Sequence, residues 1–511
     1  MSSSPSVTPA VRIARGASYL IVNDVATTIA GVLSFAVIVR LLTPAEIGIM
    51  AALLLVLDLC QTLVGFGLPA AMTKFVAQSD NSTATHIIRV GLRLVFVCSV
   101  IAGVVTVFLS GKLSQYLSGT LLYALPFALL GVAIISAGLY DSLTAVLMGR
   151  GRIKELATLD AARFILQQAL AVGLVVMGWR LVGVMTGWMV GYVFFALVGY
   201  LVANGRSKGK ASDASLQNLL EFSAPLYVGN LIGFAYSWMD RALLLLFVPL
   251  YWLGIYNVAF IGFGIVASIP GAIGATLFPH YSKLSAENRR TLEDGVFHAS
   301  RYIALVVSPL ALGLAALAPT ALRIIGGPAY QSGAVALAIL SVSLFATLSS
   351  YALGSILVAI NRPRQTLLVS IVPVLVSLMS GVALIPILGI NGSALARGLG
   401  MGAGLVATIL FVKREIALRL DRSAILKSAV AGVLMAFIVL CVEVVMRSVF
   451  LLPAYILTGV VVYLLVLRLE KAVNRVDIEL FSAYAGKRLA PIVERIGSWL
   501  VTQSASPTPP R

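Results

Sequence analysis

The chain has 511 residues, of which 59% are hydrophobic and 11% are charged. Soluble domains carry about 25% charged residues, so this chain lacks the polar surface that a water-soluble globule needs. Its net charge of +17 would suggest nucleic-acid binding in a soluble protein, but the positions of the basic residues argue against that interpretation.

Runs of about 18 or more apolar residues recur along the chain, and each predicts a membrane-spanning helix. The sequence therefore predicts an all-α polytopic membrane protein with about 14 transmembrane helices. The first run is too long for a signal-peptide core, so we expect it to remain as the first span. The predicted spans are 17–42, 46–70, 87–110, 121–147, 156–178, 181–203, 219–247, 250–279, 297–318, 332–360, 365–388, 392–412, 424–449 and 452–469.

The basic residues follow the positive-inside rule. With the N-terminus placed in the cytoplasm, cytoplasmic segments hold 29 of the 37 Lys and Arg, external ends hold five, and three lie inside spans. This bias predicts that both termini are cytoplasmic in a cell-membrane protein. The basic excess would attract anionic head groups, so membrane lipids are expected partners and nucleic acid is not.

The sequence carries no recognisable motif for a cofactor or metal. The three cysteines, Cys60, Cys98 and Cys441, fall in spans without C-x-x-C spacing, and the histidines lack metal-ligand spacing. The P-loop pattern is absent, which argues against ATP hydrolysis by this chain. External loops are short, and this argues against an extracytoplasmic catalytic domain. We therefore expect no cofactor, no metal and no enzymatic activity.

Two halves of the chain share an ordered set of matches. The stretch "RLLTPAEIGI" (40–49) is matched by "LFVPLYWLGI" (246–255), which pairs Gly48 with Gly254 at an offset of 206. Farther along, "LVGVMTGWMVG" (181–191) is matched by "GINGSALARGLG" (389–400) at an offset of 209. Offsets that stay between 206 and 213, in order, indicate an internal repeat.

The repeat predicts two six-helix pseudo-symmetric lobes plus two extra C-terminal helices. Since each lobe has an even number of spans, both would enter the membrane from the same side, with a cavity between them that suits alternating access. The expected segments are a disordered N-terminus (1–16), an N-terminal lobe (17–203), a cytoplasmic linker (204–218), a C-terminal lobe (219–412), two additional helices (424–469) and an amphipathic cytoplasmic tail (470–511).

Charged residues inside spans are the best functional clues. Each costs about 2.5–3.5 kcal/mol at a lipid-exposed helix centre, so most must face one another, a wet cavity or an interface. Helical spacing places Asn23, Thr27 and Gly31 on one face of the first span, beside Asp24. The charged residues within spans are Asp24, Asp58, Asp141, Asp160, Arg163, Asp240, Arg241, Arg397 and Glu443.

Several stretches resemble a known family. "FSAPLYVGNLIGFAYSWMDRALLLLFVPLYWLGIYNVA" (222–259) resembles the start of the second lobe in polysaccharide flippases, and "RLLTPAEIG" resembles their turn after the first helix. "GLPAAMTKFVA" (67–77) and "LIPILGINGSALA" (384–396) are similar to later parts of the same proteins. Over about residues 10–415, the chain resembles the Wzx-like branch of the multidrug/oligosaccharidyl-lipid/polysaccharide exporter superfamily.

The resemblance implies a flippase that moves a lipid-linked oligosaccharide, on a polyprenyl phosphate or diphosphate, to the outer leaflet for cell-surface polysaccharide such as lipopolysaccharide. Spans 1, 2 and 7 line the central cavity in that family. The predicted substrate-binding residues are Asn23, Asp24, Asp58, Asp240, Arg241 and Arg397. Arg241 is expected to meet the carrier phosphate, because a guanidinium fork matches phosphate oxygens.

Structural alternatives account for some of these residues. Asp240 and Arg241 are also explained as partners in interhelical pairs. Asp160 and Arg163 suit an i,i+3 salt bridge without any ligand.

Other functions remain as alternatives. A multidrug or small-molecule exporter of the same fold is the second hypothesis, and a membrane-embedded glycosyltransferase is the third. Proton or sodium coupling through the carboxylates is one hypothesis for the energy source, and consumption of the substrate outside is the other. Glycan-assembly proteins are candidate partners that no motif supports.

Overall fold

The computed structural model describes residues 9–203, 216–446, 448–474, 477–478, 482, 491, 494–495 and 497–500. Across these residues the regular structure is helical, which confirms the all-α prediction. Twelve described segments are long and apolar enough to cross a membrane, which confirms the polytopic prediction.

The chain divides into two compact units, Met1–Asn257 and Val258–Arg511, with the boundary inside one long helix. The first unit combines contacts between successive helices with contacts between helices that are distant in the sequence. Its described α-helices are α1 (Pro9–Leu41), α2 (Pro44–Gly65), α3 (Leu68–Gln78), α4 (Asn81–Ser118), α5 (Ala124–Gly149), α6 (Ile153–Leu174), α7 (Arg180–Ala203), α8 (Leu216–Phe247) and the first turns of α9 (Leu250–Glu287).

Among its described residues, the second unit contains the rest of α9 and nine further α-helices, together with short 3-10 turns at Pro328–Gly333 and Val449–Leu451. They are α10 (Arg289–Ala316), α11 (Ala318–Gly326), α12 (Ala334–Ala346), α13 (Ser349–Leu353), α14 (Ile356–Ala359), α15 (Pro363–Leu388), α16 (Ile390–Glu415), α17 (Arg422–Met446) and α18 (Leu452–Leu469).

Every predicted span falls on one or more of these helices, but the count of fourteen stays a prediction. The apolar segment Ile153–Val202 is one of the twelve, yet it contains two helices, α6 and α7, separated by a turn at Gly178 and Arg180. Helix α8 is 32 residues long and covers the predicted seventh span. It is not among the twelve segments that are apolar enough to cross a membrane, because polar residues such as Asp240 and Arg241 interrupt it.

The predicted N-terminal boundary is wrong, because α1 already begins at Pro9. Proline suits the first turn of a helix, where its missing N–H would be unpaired in any case, and residues 10–16 contain only one glycine to oppose helix formation. Residues 1–8, the linker at 204–215 and most of the predicted amphipathic tail lie outside the described residues.

Two predicted spans are interrupted. The second breaks between α2 and α3, where Phe66 and Gly67 adopt left-handed conformations with φ of 48° and 70°. The tenth is divided into α12, α13 and α14, with breaks around Thr347 and Gly354. Periodicity alone could not locate these breaks, because apolar residues predominate on both sides of each one.

The internal repeat recurs in backbone geometry. Arg180 opens α7 with φ 48° and ψ −134°, and Gly389, 209 residues later, precedes α16 with φ 57° and ψ −131°. Gly191 and Gly400 are also 209 residues apart, and a Cβ at either position would overlap the facing helix of its hairpin, at Gln167 and Ser377 respectively. The hairpins α6–α7 and α15–α16 are therefore built alike.

Each unit has its own apolar core. In the first unit, α3, α4 and α5 bury a cluster around Leu68, Met72 and Val146. In the second, α10, α17 and α18 bury a cluster around Met435 and Tyr455. The two extra C-terminal helices, α17 and α18, thus pack against α10 within the second unit.

Candidate functional site

Helix α8 carries an ionic pair inside the first unit. Asp240 and Arg241 are only 4% and 9% exposed, and Arg241 Nε lies 3.7 Å from Asp240 Oδ1. The Tyr256 hydroxyl donates to Asp240 Oδ2 at 2.8 Å, and Arg241 also donates to the Ser237 carbonyl. The pair is held on several sides, as a buried ion pair requires.

Trp238 joins this pair to α2. The Arg241 guanidinium lies 3.8 Å from the centroid of the Trp238 ring, a close cation–π contact. At its edge, Trp238 Nε1 donates to Asp58 Oδ2 at 2.8 Å. The indole thus lies between a guanidinium and a carboxylate, and the resulting Trp238 cluster comprises Asp58, Trp238, Asp240, Arg241 and Tyr256.

A second polar network centres on α6. Arg163 donates to Asp160 Oδ1 at 2.9 Å and to Gln167 Oε1 at 2.8 Å, which confirms the i,i+3 salt bridge. Asn23 of α1 donates to Asp160 Oδ2 at 3.2 Å, and Tyr140 of α5 donates to Asp160 Oδ1 at 3.3 Å. Both carboxylate oxygens of Asp160 are therefore occupied by protein donors.

Aromatic rings complete the α6 network. The Arg163 guanidinium lies 4.8 Å from the ring centroids of both Tyr140 and Tyr192. Asn23 Oδ1 and Arg163 Nε are buried and lack a hydrogen-bond partner. This network can therefore still accept one hydrogen bond at the Asn23 amide oxygen and donate one from the Arg163 Nε–H.

The five predicted site residues of the first unit divide between different places. Asp58, Asp240 and Arg241 belong to the Trp238 cluster, and Asn23 belongs to the α6 network. Asp24 is exposed on the neighbouring face of α1, since adjacent helical residues point about 100° apart.

Arg397 is a residue of α16 in the second unit. It is 7% exposed, and its guanidinium lies 5.2 Å from the ring centroid of Phe260 in the same unit.

Sequence reasoning missed the aromatic members of both groups. Trp238, Tyr256, Tyr140 and Tyr192 stand within apolar runs, where they look like core residues. One signal was available for Trp238: an indole N–H inside a membrane needs an acceptor, and it lies two residues before a charged pair. Acid groups are the natural acceptors, and Asp58 supplies one.

The chemistry available in the first unit is that of donors and acceptors around aromatic faces. Carboxylates accept hydrogen bonds from hydroxyl groups, guanidinium groups bind phosphate or carboxylate oxygens, and an indole face stacks on apolar ring faces. Among the described residues, no three His, Cys, Asp or Glu side chains are grouped to hold a metal ion. The arrangement suits recognition of a polyhydroxylated or anionic ligand.

The second unit contains an apolar cavity of about 530 Å³. Its walls come from α9, α10, α11, α17 and α18 and include Pro309, Gly313, Tyr455 and Gly459. The Tyr455 hydroxyl accepts a hydrogen bond from the Ser448 backbone N–H at 3.3 Å, so this polar group is engaged elsewhere. The cavity offers a hydrocarbon-like surface.

The chain is similar to known proteins in sequence and in fold. Residues 37–335 match the family described as "Polysaccharide biosynthesis protein". Over 373 residues, the chain is 24% identical to the "Probable low-salt glycan biosynthesis flippase Agl15" of Haloferax volcanii, covering 73% of this chain and 77% of that protein.

Two solved structures are similar in fold. One is the lipid II flippase MurJ in an inward closed conformation, with 12% identity and a TM-score of 0.72, covering 87% of this chain and 98% of that one. The other is an inward-facing multidrug resistance MATE family transporter, with 15% identity and a TM-score of 0.58, covering 76% and 94%. At these identities the likeness concerns the fold alone.

Proposed function

The chain belongs to the polysaccharide biosynthesis protein family, and on that premise we propose that it flips a lipid-linked oligosaccharide from the cytoplasmic to the outer leaflet. The carrier would be a polyprenyl phosphate or diphosphate, and the movement would follow alternating access. A relative described as a probable glycan biosynthesis flippase and a fold shared with a lipid II flippase support this assignment.

The observation that carries the proposal is the Trp238 cluster. An Arg241 guanidinium stacked on an indole, with carboxylates on either side, provides both a phosphate partner and acceptors for sugar hydroxyls. Its burial within the bilayer raises the strength of each polar contact, because water competes less there. We assign Arg241 to the carrier phosphate and Asp58 and Asp240 to the saccharide, with no bond made or broken by the protein.

Asn23, Asp24 and Arg397 take secondary roles in this proposal. Asn23 retains a free amide oxygen that could accept one hydrogen bond from a sugar hydroxyl. Exposed Asp24 and buried Arg397 are proposed as contacts along the path.

The apolar cavity of the second unit would receive part of the polyprenyl chain. A carrier lipid must keep its hydrocarbon tail out of water while its head group crosses, and a cavity walled by apolar side chains meets that need. The membrane concerned would be the cytoplasmic membrane, with both termini inside, as the basic residues predict.

The second candidate function is export of small molecules, which the MATE-like fold favours. Such transporters are commonly coupled to ions, and Asp141 would be the coupling group in this chain. It is half-buried within α5, where the charges of Arg163, Asp160 and Asp58 act on it. Flipping measured with and without an imposed proton or sodium gradient tests the coupling, because an unchanged rate would rule it out.

A reconstituted flipping assay tests the main proposal. Purified protein in vesicles would be given a labelled lipid-linked oligosaccharide, and its appearance in the opposite leaflet would be followed. Arg241→Gln and Asp58→Asn should each slow transfer at least about tenfold, as expected for losing about 1.4 kcal/mol of binding. Arg323→Gln, an exposed arginine outside the cluster, is the control. Equal rates for all variants and the wild type would overturn the assignment of the cluster.

A further inference from the structure

Two repeat-related glycines lie against each other within the first unit. A Cβ on Gly48 of α2 would overlap the carbonyl oxygen of Leu250, and a Cβ on Gly254 of α9 would overlap that of Pro44. Leu250 follows Pro44, and Gly254 follows Gly48, by the same 206 residues. The contact is therefore reciprocal: each turn offers the same glycine to the same carbonyl of its counterpart, as across a two-fold axis.

The contact is dry as well as close. Ile47 and Ile49, which flank Gly48, are each 0% exposed. Leu253 and Ile255, which flank Gly254, are 1% and 0% exposed. Backbone meets backbone here in a sealed apolar layer, with space for neither a side chain nor water between the two turns.

An ion pair fastens the same end of α2. Glu46 caps α2 by accepting a hydrogen bond from the Thr43 N–H at 2.9 Å. Arg180 donates to both carboxylate oxygens of Glu46, at 2.6 and 2.5 Å. Arg180 holds a backbone conformation with φ 48° that glycine adopts at the equivalent position, Gly389. A non-glycine residue in this backbone region is strained by about 1–3 kcal/mol. The ion pair with Glu46 therefore forms at the cost of backbone strain at Arg180.

We propose that the Gly48–Gly254 contact is the closure that seals the predicted external end of the transport path, with the start of α2 held in position by the pairing of Glu46 with Arg180. The inference rests on the proposed transport function, since a path that alternates must have a seal on each side. Glycine at both positions lets two helix starts meet without side chains. Separation of the two turns would then require only the loss of backbone packing, while the Glu46–Arg180 pair keeps the start of α2 in place.

Thiol labelling tests this closure without any substrate. Thr62 lies 14 residues after Gly48 on the same face of α2, about 21 Å deeper. In a background with the three native cysteines replaced by Ser, Thr62→Cys would report access through the seal. A membrane-impermeant thiol reagent would be added to intact cells and, separately, to inverted vesicles, so that each side of the membrane is probed.

Gly48→Ala and Gly254→Ala should each raise the labelling rate from the outside at least about fivefold, and Glu46→Gln should raise it less. Gly65→Ala in α2 and Gly264→Ala in α9 are matched controls, because a Cβ at either position meets nothing within 4 Å. Labelling from the outside that matches the controls in all three variants would overturn the proposal. Should either alanine variant fail to fold, Glu46→Gln decides alone, because it leaves both glycines in place.

The flipping assay separates this inference from the proposed function. If the glycine variants are labelled faster but the wild-type protein moves no lipid-linked oligosaccharide, the proposed closure stands and the substrate assignment is overturned. If the wild-type protein flips the substrate but the glycine and Glu46 substitutions do not change labelling, the proposed function stands and the closure is overturned.

Discussion

At the scale of single residues, Trp238 has two separable tasks. Its ring face lies against Arg241, and its N–H satisfies Asp58. These tasks can be divided by substitution, because phenylalanine keeps an aromatic face and loses the donor.

Trp238→Phe should therefore leave a half-buried carboxylate without its donor while the cation–π contact persists. The expected cost is about 1–3 kcal/mol of stability, together with slower flipping. Trp238→Leu removes both contacts and should be worse in each respect. Thermal unfolding in detergent and the vesicle assay measure these effects, and exposed Trp252→Phe serves as the control. Similar behaviour of the Phe and Leu variants would show that the hydrogen bond carries the whole effect.

Arg180 offers a second prediction, because its strain and its ion pair oppose each other. In the wild type, Arg180→Gly relaxes the backbone but releases Glu46. When Glu46→Gln has already weakened the pair, Arg180→Gly should raise stability by about 1 kcal/mol, since only the strain is then removed. A thermal double-mutant cycle measures the sign change. Equal losses of stability in both backgrounds would contradict the strain argument.

Charged residues in spans were visible in the sequence, and their neighbours were not. Asp58, Asp240 and Arg241 could be singled out because ionic groups are expensive in apolar runs. Their partner Trp238 could not, since an aromatic residue in a span is ordinary. Asn23 and Asp24 were predicted together, yet adjacent positions on a helix point in different directions, and only Asn23 reaches Asp160.

At the scale of helices, α10 and α17 are joined to the start of the C-terminal segment by one arginine. Arg301 contacts Asp421 at 2.8 Å, Asp477 at 2.7 Å and the Ala472 carbonyl at 2.6 Å. Both carboxylates are nearly buried, with side chains 6% and 3% exposed. This anchor fixes the chain where it leaves the last helix.

Arg301→Ala should destabilise the protein by about 3–5 kcal/mol, because it leaves two buried carboxylates without their cation. The loss would appear as a lower melting temperature and as faster proteolysis after Ala472. Arg362→Ala is the comparison, since its pair with Glu415 is half exposed and should matter far less. Equal effects of the two substitutions would exclude the anchor.

The apolar cavity of the second unit gives an element-scale prediction with a close control. Val460 of α18 lines the cavity and Val461 does not, although the two are 49% and 48% exposed. Val460→Trp should fill the space and slow flipping several-fold with little change in stability. Val461→Trp should leave flipping unchanged. Matching rates in the vesicle assay would show that the cavity does not hold the lipid tail.

Helix positions were largely predictable, and helix interruptions were not. Apolar runs long enough to span a bilayer locate the ends of α5 and α15 to within about three residues, although α4 extends well beyond its predicted span. The break at Phe66 depends on a left-handed residue in an apolar stretch, which no periodicity reveals. The start of α1 was placed too late, because the Ser- and Pro-rich composition of the N-terminal residues was interpreted as disorder up to residue 16, whereas the helix begins at Pro9.

At the scale of the whole molecule, the distribution of basic residues makes a topological prediction. Single cysteines at Ser118 and Ser285 should be labelled by an impermeant reagent from opposite sides, with Ser118 reached from outside. Reporter fusions at both termini should be active only in the cytoplasm. Labelling of both cysteines from one side would contradict the positive-inside assignment, and with it the stated direction of flipping.

The meeting of Gly48 with Gly254 has a consequence for how a duplicated chain evolves. Each copy is constrained at this point by the backbone of the other, so no compensating side chain can arise when one glycine is lost. Divergence is free where the copies face different surroundings, as Arg180 and Gly389 illustrate. We expect homologues to vary widely along both copies while keeping this pair of glycines together, or replacing both at once.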